Sequence, residues 1–219
     1  KCAYEYRKNL GIELAKEADI KADLVVPVPD SGVPASLGYA EESGKQFELG
    51  LIRNHYVGRT FIEPTQNIRS LGVKLKLSST KTIVKNKSII LIDDSLVRGT
   101  TCHKIVKMLY EAGAKEIHVR IACPEIKFPD FYGVDMPTKK ELLAHEKSLE
   151  EMSNYIKAKS LKFLSINGLY KALTGSVRNS NYPQFSDHYF TGDYPIKPYD
   201  NLHGYKVKQL SLLSGKSNN

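Results

Sequence analysis

The chain has 219 residues, of which 41% are hydrophobic and 26% are charged. These proportions are ordinary for a globular protein, and they exclude the disordered and fibrous classes. No apolar run approaches the roughly 20 residues that span a bilayer, and the N-terminus lacks the apolar stretch of a signal peptide. We therefore expect a cytoplasmic protein with one good-sized core. The three cysteines, Cys2, Cys102 and Cys123, are widely spaced and odd in number, which favours reduced thiols, the latter two buried.

The formal net charge of +8 predicts an anionic partner. Lysine and arginine are scattered along the chain, and they form no basic stripe with interleaved aromatic residues. We therefore expect no nucleic acid and no membrane among the partners, and we favour a small molecule rich in phosphate.

Short apolar runs predict strands at residues 24–28, 47–52, 89–92, 117–121 and 161–164. Amphipathic helices between them, the clearest ending at Gly113, indicate parallel βαβ units and an α/β fold whose mainly parallel sheet is flanked by helices. Further helical stretches are predicted around residues 139–145 and 149–158. The proline-containing stretch from Pro183 onward predicts coil or a weakly held tail. We divide the chain into a domain at 1–194 and a tail at 195–219.

In a parallel sheet, ligands bind beyond the carboxyl ends of the strands, which directs attention to the loops after Val28 and Ile92. The run at 89–101 delivers Asp93 and Asp94 to the end of a buried strand, and a short loop then opens a helix. Its backbone N–H groups can form a nest for a phosphate, and Gly99 permits close backbone approach. The alternative is a plain polar turn with a helix cap. Because two acids precede the phosphate-type loop, we favour the binding function.

This run resembles the phosphoribosyl pyrophosphate (PRPP) motif of the type I phosphoribosyltransferases. Other stretches are similar to the amidophosphoribosyltransferase family: 26–35 to its pyrophosphate loop, 51–62 to its flexible catalytic loop, and 69–77 and 124–136 to further segments. The resemblance implies the type I fold and transfer of the phosphoribosyl group of PRPP to ammonia. The products are then 5-phosphoribosylamine and pyrophosphate, in the first committed step of purine synthesis.

The resemblance also assigns roles to residues. The catalytic positions are Tyr56, Arg59, Thr60 and Lys76. The substrate-binding positions are Asp30, Ser31, Lys74, Asp93, Asp94, Ser95, Val97, Arg98, Gly99, Thr100 and Thr101. A Mg²⁺ ion is expected at Ser31, Asp93 and Asp94. Two alternatives stay open, namely that the lysines form a solvated strand edge and that Tyr56 is a core residue.

The sequence departs from the family in several places. No glutaminase domain is present, and we expect residues 1–6 to be the remnant of its junction, with residues missing after Tyr6. Some relatives hold an iron–sulfur cluster with four cysteines. Cys2 matches one of them, but the others fall on Asp130, Ser186 and Tyr189, so a cluster is not expected. Position 55 is His where Arg is usual.

The resemblance further implies ammonia delivered from a glutaminase domain, feedback inhibition by purine nucleotides and a homo-oligomer. Two other functions compete with this assignment. One is a phosphoribosyltransferase that uses a nucleobase as acceptor, against which the pyrophosphate-loop and flexible-loop sequences argue. The other is a non-catalytic module that senses PRPP or nucleotides, although no helix-turn-helix pattern accompanies it.

Overall fold

The structure is a computed structural model that describes residues 2–54, 77–133, 138–181 and 183–196. Its strands are β1 (Leu24–Pro27), β2 (Gln46–Phe47), β3 (Leu51–Arg53), β4 (Leu77–Ser79), β5 (Ser88–Asp93), β6 (Glu116–Ile121) and β7 (Ser160–Phe163). Its helices are α1 (Ala3–Ala18), α2 (Val33–Ser43), α3 (Lys81–Val84), α4 (Thr100–Glu111), α5 (Leu143–Glu146), α6 (Leu149–Ile156), α7 (Ile166–Thr174) and α8 (His188–Thr191). A 3₁₀ turn covers Lys139–Glu141.

The main sheet contains five strands in the order β2-β1-β5-β6-β7. Every neighbouring pair in it is parallel. A separate two-stranded antiparallel sheet joins β3 to β4. Parallel strands need crossover connections, and here helices supply them on both faces of the sheet. The α/β class with a mainly parallel sheet is therefore confirmed.

Strand β5 is buried on both faces, so its side chains divide between two cores. Ile89 and Leu91 belong to one core together with residues of α4 and α6. Ile90 and Ile92 belong to the other core, which contains residues of α1 and α2. Because alternate side chains of a strand point to opposite faces, four consecutive apolar residues bind both helical layers to the sheet.

Helices α1 and α2 pack at very short range because small residues lie where they cross. A Cβ atom on Gly11 would lie 1.8 Å from the carbonyl oxygen of Ala35. A Cβ atom on Gly38 would lie 2.0 Å from the carbonyl oxygen of Lys8. Atoms that are not bonded to each other cannot approach so closely, so both positions require glycine. This contact fixes α1 beside α2, and α1 runs without interruption through Tyr6.

The prediction of a single strand at 47–52 is wrong. Residues Gln46–Phe47 join the main sheet, whereas Leu51–Arg53 pairs with β4. Gly50 lies between the two parts, where an added Cβ atom would lie only 2.9 Å from a methyl group of Val84. The chain therefore leaves the main sheet in the middle of an apolar run, and hydropathy alone does not reveal such a turn.

The prediction of coil after Pro183 is also wrong for part of that stretch. Helix α8 forms there, and Asp187 and His188 are 3% and 1% exposed. The N–H groups of Lys127 and Phe128 both donate to the carbonyl oxygen of Tyr189. Polar contacts therefore hold this segment against the protein. The predicted helix at 139–145 is a 3₁₀ turn followed by α5, and the predicted helix at 149–158 is confirmed as α6.

None of the described helices has the length and apolarity needed to cross a membrane. The division into a domain at 1–194 and a tail stays a prediction.

Candidate functional site

The two loops that the sequence indicates as ligand sites meet at the carboxyl ends of neighbouring strands in the main sheet. Strands β1 and β5 are neighbours, with Pro27 opposite Ile92. The pairing continues for one more residue, because Val28 N–H donates to the carbonyl oxygen of Ile92 at 2.8 Å. A Cβ atom on Gly32 would lie 2.6 Å from that oxygen, so only glycine allows the loop to approach so closely. The loop of residues 28–32 therefore lies against the end of β5.

The adjacent acids Asp93 and Asp94 occupy different environments. Asp93 is 8% exposed, and its Oδ1 accepts the backbone N–H of Asp94 at 2.9 Å. Burial, followed by the charge of Asp94, raises the pKa of Asp93 to about 8. Asp94 is partly exposed, and its Oδ1 accepts the hydroxyl of Ser95 at 3.3 Å. The second acid therefore faces the space beyond the strand, and the first lies beneath it.

The loop from Ser95 to Gly99, called the phosphate loop below, has the features of an anion site. Among the described residues, no group accepts the backbone N–H of Ser95, Val97, Arg98 or Gly99. Gly99 is buried and has φ +73°, a conformation that glycine adopts without strain. Helix α4 begins directly after it at Thr100. Free amides in succession at the start of a twelve-residue helix favour a phosphate group.

The loop of residues 28–32 forms an ion pair with the smaller sheet. Arg53, at the end of β3, lies with its NH1 atom 2.5 Å from Oδ2 of Asp30. The peptide bond between Pro29 and Asp30 is cis. Asp30, predicted as a substrate-binding residue, thus links the 28–32 loop to the smaller sheet.

A cavity of about 320 Å³ opens beside these loops. Ser31, Asp94 and Ser95 line it, so the structure brings together members of both predicted loops. The other lining residues are Arg7, Leu10, Ala35, Ala122, Cys123, Ile126, Tyr189 and Phe190. Sequence reasoning missed Arg7, Tyr189 and Phe190, because they come from α1 and α8 and no local motif marks them.

Residues Tyr56, Arg59, Thr60, Lys74 and Lys76, together with His55, lie outside the described residues. Of the predicted buried thiols, Cys102 is buried as expected, whereas Cys123 is only partly buried and lines the cavity.

Within the described residues, no three His, Cys, Asp or Glu side chains are grouped so that they could hold a metal ion by themselves. The positions matched to iron–sulfur cysteines contain a hydrogen-bonded set instead. Nε2 of His188 lies 2.8 Å from Oδ1 of Asp130, and its Nδ1 lies 2.9 Å from the hydroxyl of Ser186.

The chain is similar to known proteins over most of its length. It is 58% identical over 212 residues to an amidophosphoribosyltransferase of Rhizobium etli, covering 96% of this chain and 43% of that protein. It is 50% identical over 207 residues to an amidophosphoribosyltransferase of Staphylococcus aureus, covering 94% of this chain and 42% of that protein. The chain thus spans less than half the length of these relatives.

A solved structure shows the same fold. The glutamine PRPP amidotransferase of Bacillus subtilis, complexed with ADP and GMP, matches with a TM-score of 0.78 and 49% identity, over 88% of this chain and 42% of that chain. The resemblance drawn from the motifs is therefore confirmed. A family model described as "Phosphoribosyl transferase domain" matches residues 5–136, which include β1, β5 and both loops. The chain belongs to the phosphoribosyl transferase domain family.

Proposed function

We propose that this chain binds PRPP and transfers its phosphoribosyl group to ammonia, which yields 5-phosphoribosylamine and pyrophosphate, the first committed step of purine synthesis. One observation carries the proposal: Asp94, Ser95 and Ser31 line a single cavity, although they come from the ends of two different strands. A ligand with an anion at each end of a sugar would engage both loops together.

Different parts of the ligand are bound by different residues. The free amides of the phosphate loop, with the hydroxyls of Thr100 and Thr101, bind the 5′-phosphate. The carboxylate of Asp94 accepts a ribose hydroxyl, and Asp93 assists as a second acceptor and holds the backbone of Asp94 in place. Ser31 and its neighbouring amides lie on the pyrophosphate side. Fixing both ends of the ligand aligns the anomeric carbon for displacement, which is the main requirement of this reaction.

Magnesium fits this arrangement as an ion shared with the substrate. Mg²⁺ is usually held by one or two carboxylates together with phosphate oxygens and water, so the adjacent carboxylates of Asp93 and Asp94 suit it. We infer that Ser31, Asp93 and Asp94 provide the protein's side of the site. When bound, the ion neutralises negative charge on the departing pyrophosphate.

The walls of the cavity suit a neutral acceptor. Leu10, Ala35 and Ile126 line it, and its surface is mainly apolar. In the proposed complex these walls lie beside the anomeric carbon, where they limit the access of water and disfavour the charged ammonium and hydroxide ions, so they suit ammonia delivered as the neutral molecule. Because the relatives are more than twice as long as this chain, we infer that a glutaminase domain supplies the ammonia in the complete protein.

The nucleotides bound to the Bacillus subtilis relative, ADP and GMP, lead to one more element of the proposal. We infer that purine nucleotides inhibit this protein by feedback. From the family resemblance, and not from these nucleotides, we also infer a homo-oligomer.

The test is pyrophosphate release by the chain with PRPP and ammonium salt, measured with Mg²⁺ and again with excess EDTA. We expect release that requires PRPP, ammonia and the metal. Hypoxanthine, adenine and orotate should not replace ammonia. Turnover with a base would favour the nucleobase enzyme, and PRPP binding without turnover would favour the sensing module.

A further inference from the structure

A second segment of the chain lies directly against the phosphate loop. The backbone N–H of Leu143 donates to the carbonyl oxygen of Val97 at 2.9 Å. Nε of Arg98 donates to Oε1 of Glu141 at 3.3 Å. A Cβ atom on Gly99 would lie 2.7 Å from a methyl group of Leu143. Three consecutive residues of the loop therefore contact residues 141–143, which we call the brace.

The bond to Val97 has a geometric consequence for the next residue. In a planar trans peptide unit the C=O and the following N–H point in opposite directions. When Leu143 holds the carbonyl of Val97 on one side, the N–H of Arg98 must point to the other side. That N–H has no acceptor among the described residues, so the brace directs a free donor away from itself. A nest binds an anion only when its N–H groups converge, so such control of direction affects binding.

We propose that Glu141 and Leu143 are positioning residues for the phosphate loop, which they hold in the conformation that binds the 5′-phosphate of the substrate. This inference rests on the proposed function, because it assigns the loop to that phosphate. Neither residue is required to touch the ligand.

The direction in which one substitution changes phosphate binding distinguishes a positioning role from a direct electrostatic effect. Arg98 and Glu141 are both about half exposed, at 50% and 49%. Removing the carboxylate of Glu141 takes a negative charge away from an anion site, which by Coulomb's law would tighten phosphate binding. Weaker binding by a folded Glu141→Ala variant therefore indicates a changed loop conformation and not a direct effect of the removed charge.

A proline at position 143 removes the other contact. Leu143 is the first residue of α5, where the N–H has no helical acceptor and proline is tolerated. Leu142 has φ −80° and ψ 110°, which suits a residue before proline. Leu143→Pro deletes the donor to Val97 and shortens the side chain, and Leu143→Ala shortens the side chain alone. The proline ring also places Cδ where the amide hydrogen was, so it pushes the carbonyl of Val97 away. The difference between these two variants therefore reports the loss of this contact and the displacement of that carbonyl.

Calorimetry with two separate probes, ribose 5-phosphate and magnesium pyrophosphate, tests the inference. We expect the Kd of ribose 5-phosphate to rise about threefold in Glu141→Ala, as for loss of one exposed ion pair. It should rise about tenfold or more in Leu143→Pro relative to Leu143→Ala, as for loss of one good hydrogen bond together with displacement of the Val97 carbonyl. The Kd of pyrophosphate should stay the same, because the other loop binds it.

Glu111→Ala is the matched control, since Glu111 lies 3.8 Å from Lys107 in an exposed pair at the far end of α4. It should leave both constants unchanged. Unchanged or tighter binding of ribose 5-phosphate by the brace variants would overturn the inference, and so would an equal loss for both probes. If the unsubstituted chain binds no ribose 5-phosphate, the proposed function fails first. If circular dichroism shows Leu143→Pro unfolded, Glu141→Ala decides alone.

Discussion

The backbone N–H of Asp94 donates to the carboxylate of Asp93 at 2.9 Å, so a hydrogen bond links these two neighbouring acids. Burial, followed by the charge of Asp94, raises the pKa of Asp93 to about 8, whereas Asp94 lines the cavity. Two acids side by side in the sequence are therefore not equivalent. The exposed one is the better candidate for direct contact with a sugar hydroxyl.

We expect Asp94→Asn to lower turnover in PRPP- and ammonia-dependent pyrophosphate release about a hundredfold, as for loss of a single well-placed polar group in other enzymes. Asn keeps the shape of the side chain but loses its charge, so the melting temperature should change little. Asp19→Asn, at the end of α1 and away from the cavity, is the control and should be fully active. Near-normal synthesis of phosphoribosylamine by Asp94→Asn would refute the assignment.

The contact between α1 and α2 predicts a large stability effect at Gly38. Gly38→Ala would place Cβ 2.0 Å from a backbone oxygen, so the helices must separate, and we expect a loss of about 3 kcal/mol or more. Gly44→Ala is the comparison. Gly44 has φ +67° with nothing within 4 Å, so only backbone strain of about 1 kcal/mol applies. Urea denaturation of both variants measures the difference, and equal losses would contradict this packing.

The buried pair between Arg178 and Asp187 predicts a second stability effect. Their side chains are 10% and 3% exposed, and Nε lies 2.6 Å from Oδ2. Burial would raise the pKa of Asp187, but the hydrogen bonds from Arg178 and Tyr170 lower it on balance. Arg178→Met leaves this carboxylate without its cation, and we expect a loss of about 3 kcal/mol in urea denaturation.

An exposed ion pair provides the control for that experiment. Lys8 and Glu41 are paired on the surface, with side chains 36% and 62% exposed. Lys8→Met should leave the denaturation midpoint almost unchanged, because water screens such pairs. If both variants lose the same stability, the buried network does not hold α8 in place.

His118 predicts a dependence of stability on pH. Burial, followed by the charge of Arg120, lowers its pKa, and Lys159 adds to this while Glu116 opposes it. The unfolded chain then binds a proton more readily than the folded one, so stability falls as pH drops below about 6.5 and levels off below the folded pKa. We expect His118→Asn to remove this loss. Denaturation of both proteins at pH 7.5 and 5.5 tests it, and parallel changes would refute it.

Most of the central sheet could be predicted from the sequence. The runs at 24–28, 89–92 and 117–121 correspond to β1, β5 and β6 within about two residues. Strands buried on both faces are continuous apolar runs, and this signal is local. The acidic strand end and the loop after it were predicted for the same reason, since all their residues are neighbours in sequence.

The rest depends on contacts between distant segments. His188 pairs with Asp130, which lies 58 positions away, and nothing near either residue indicates the partner. The cavity wall combines Arg7 with Tyr189, from opposite ends of the described chain. The turn at Gly50 is set by Val26 and Val84. Local patterns carry no information about such pairs, so helix α8, the cavity wall and the split strand were missed.

The pairing of β1 with β5 also determines when the ligand-binding end of the sheet can form during protein synthesis. Leu24 lies opposite Ile89, so the first strand has only the two-residue β2 beside it until the ribosome has released the chain beyond that point. Contacts between residues so far apart in sequence slow folding, because a long stretch must be ordered first. We expect the nascent chain to gain protease resistance in one late step, with both ligand loops acquiring their shape together.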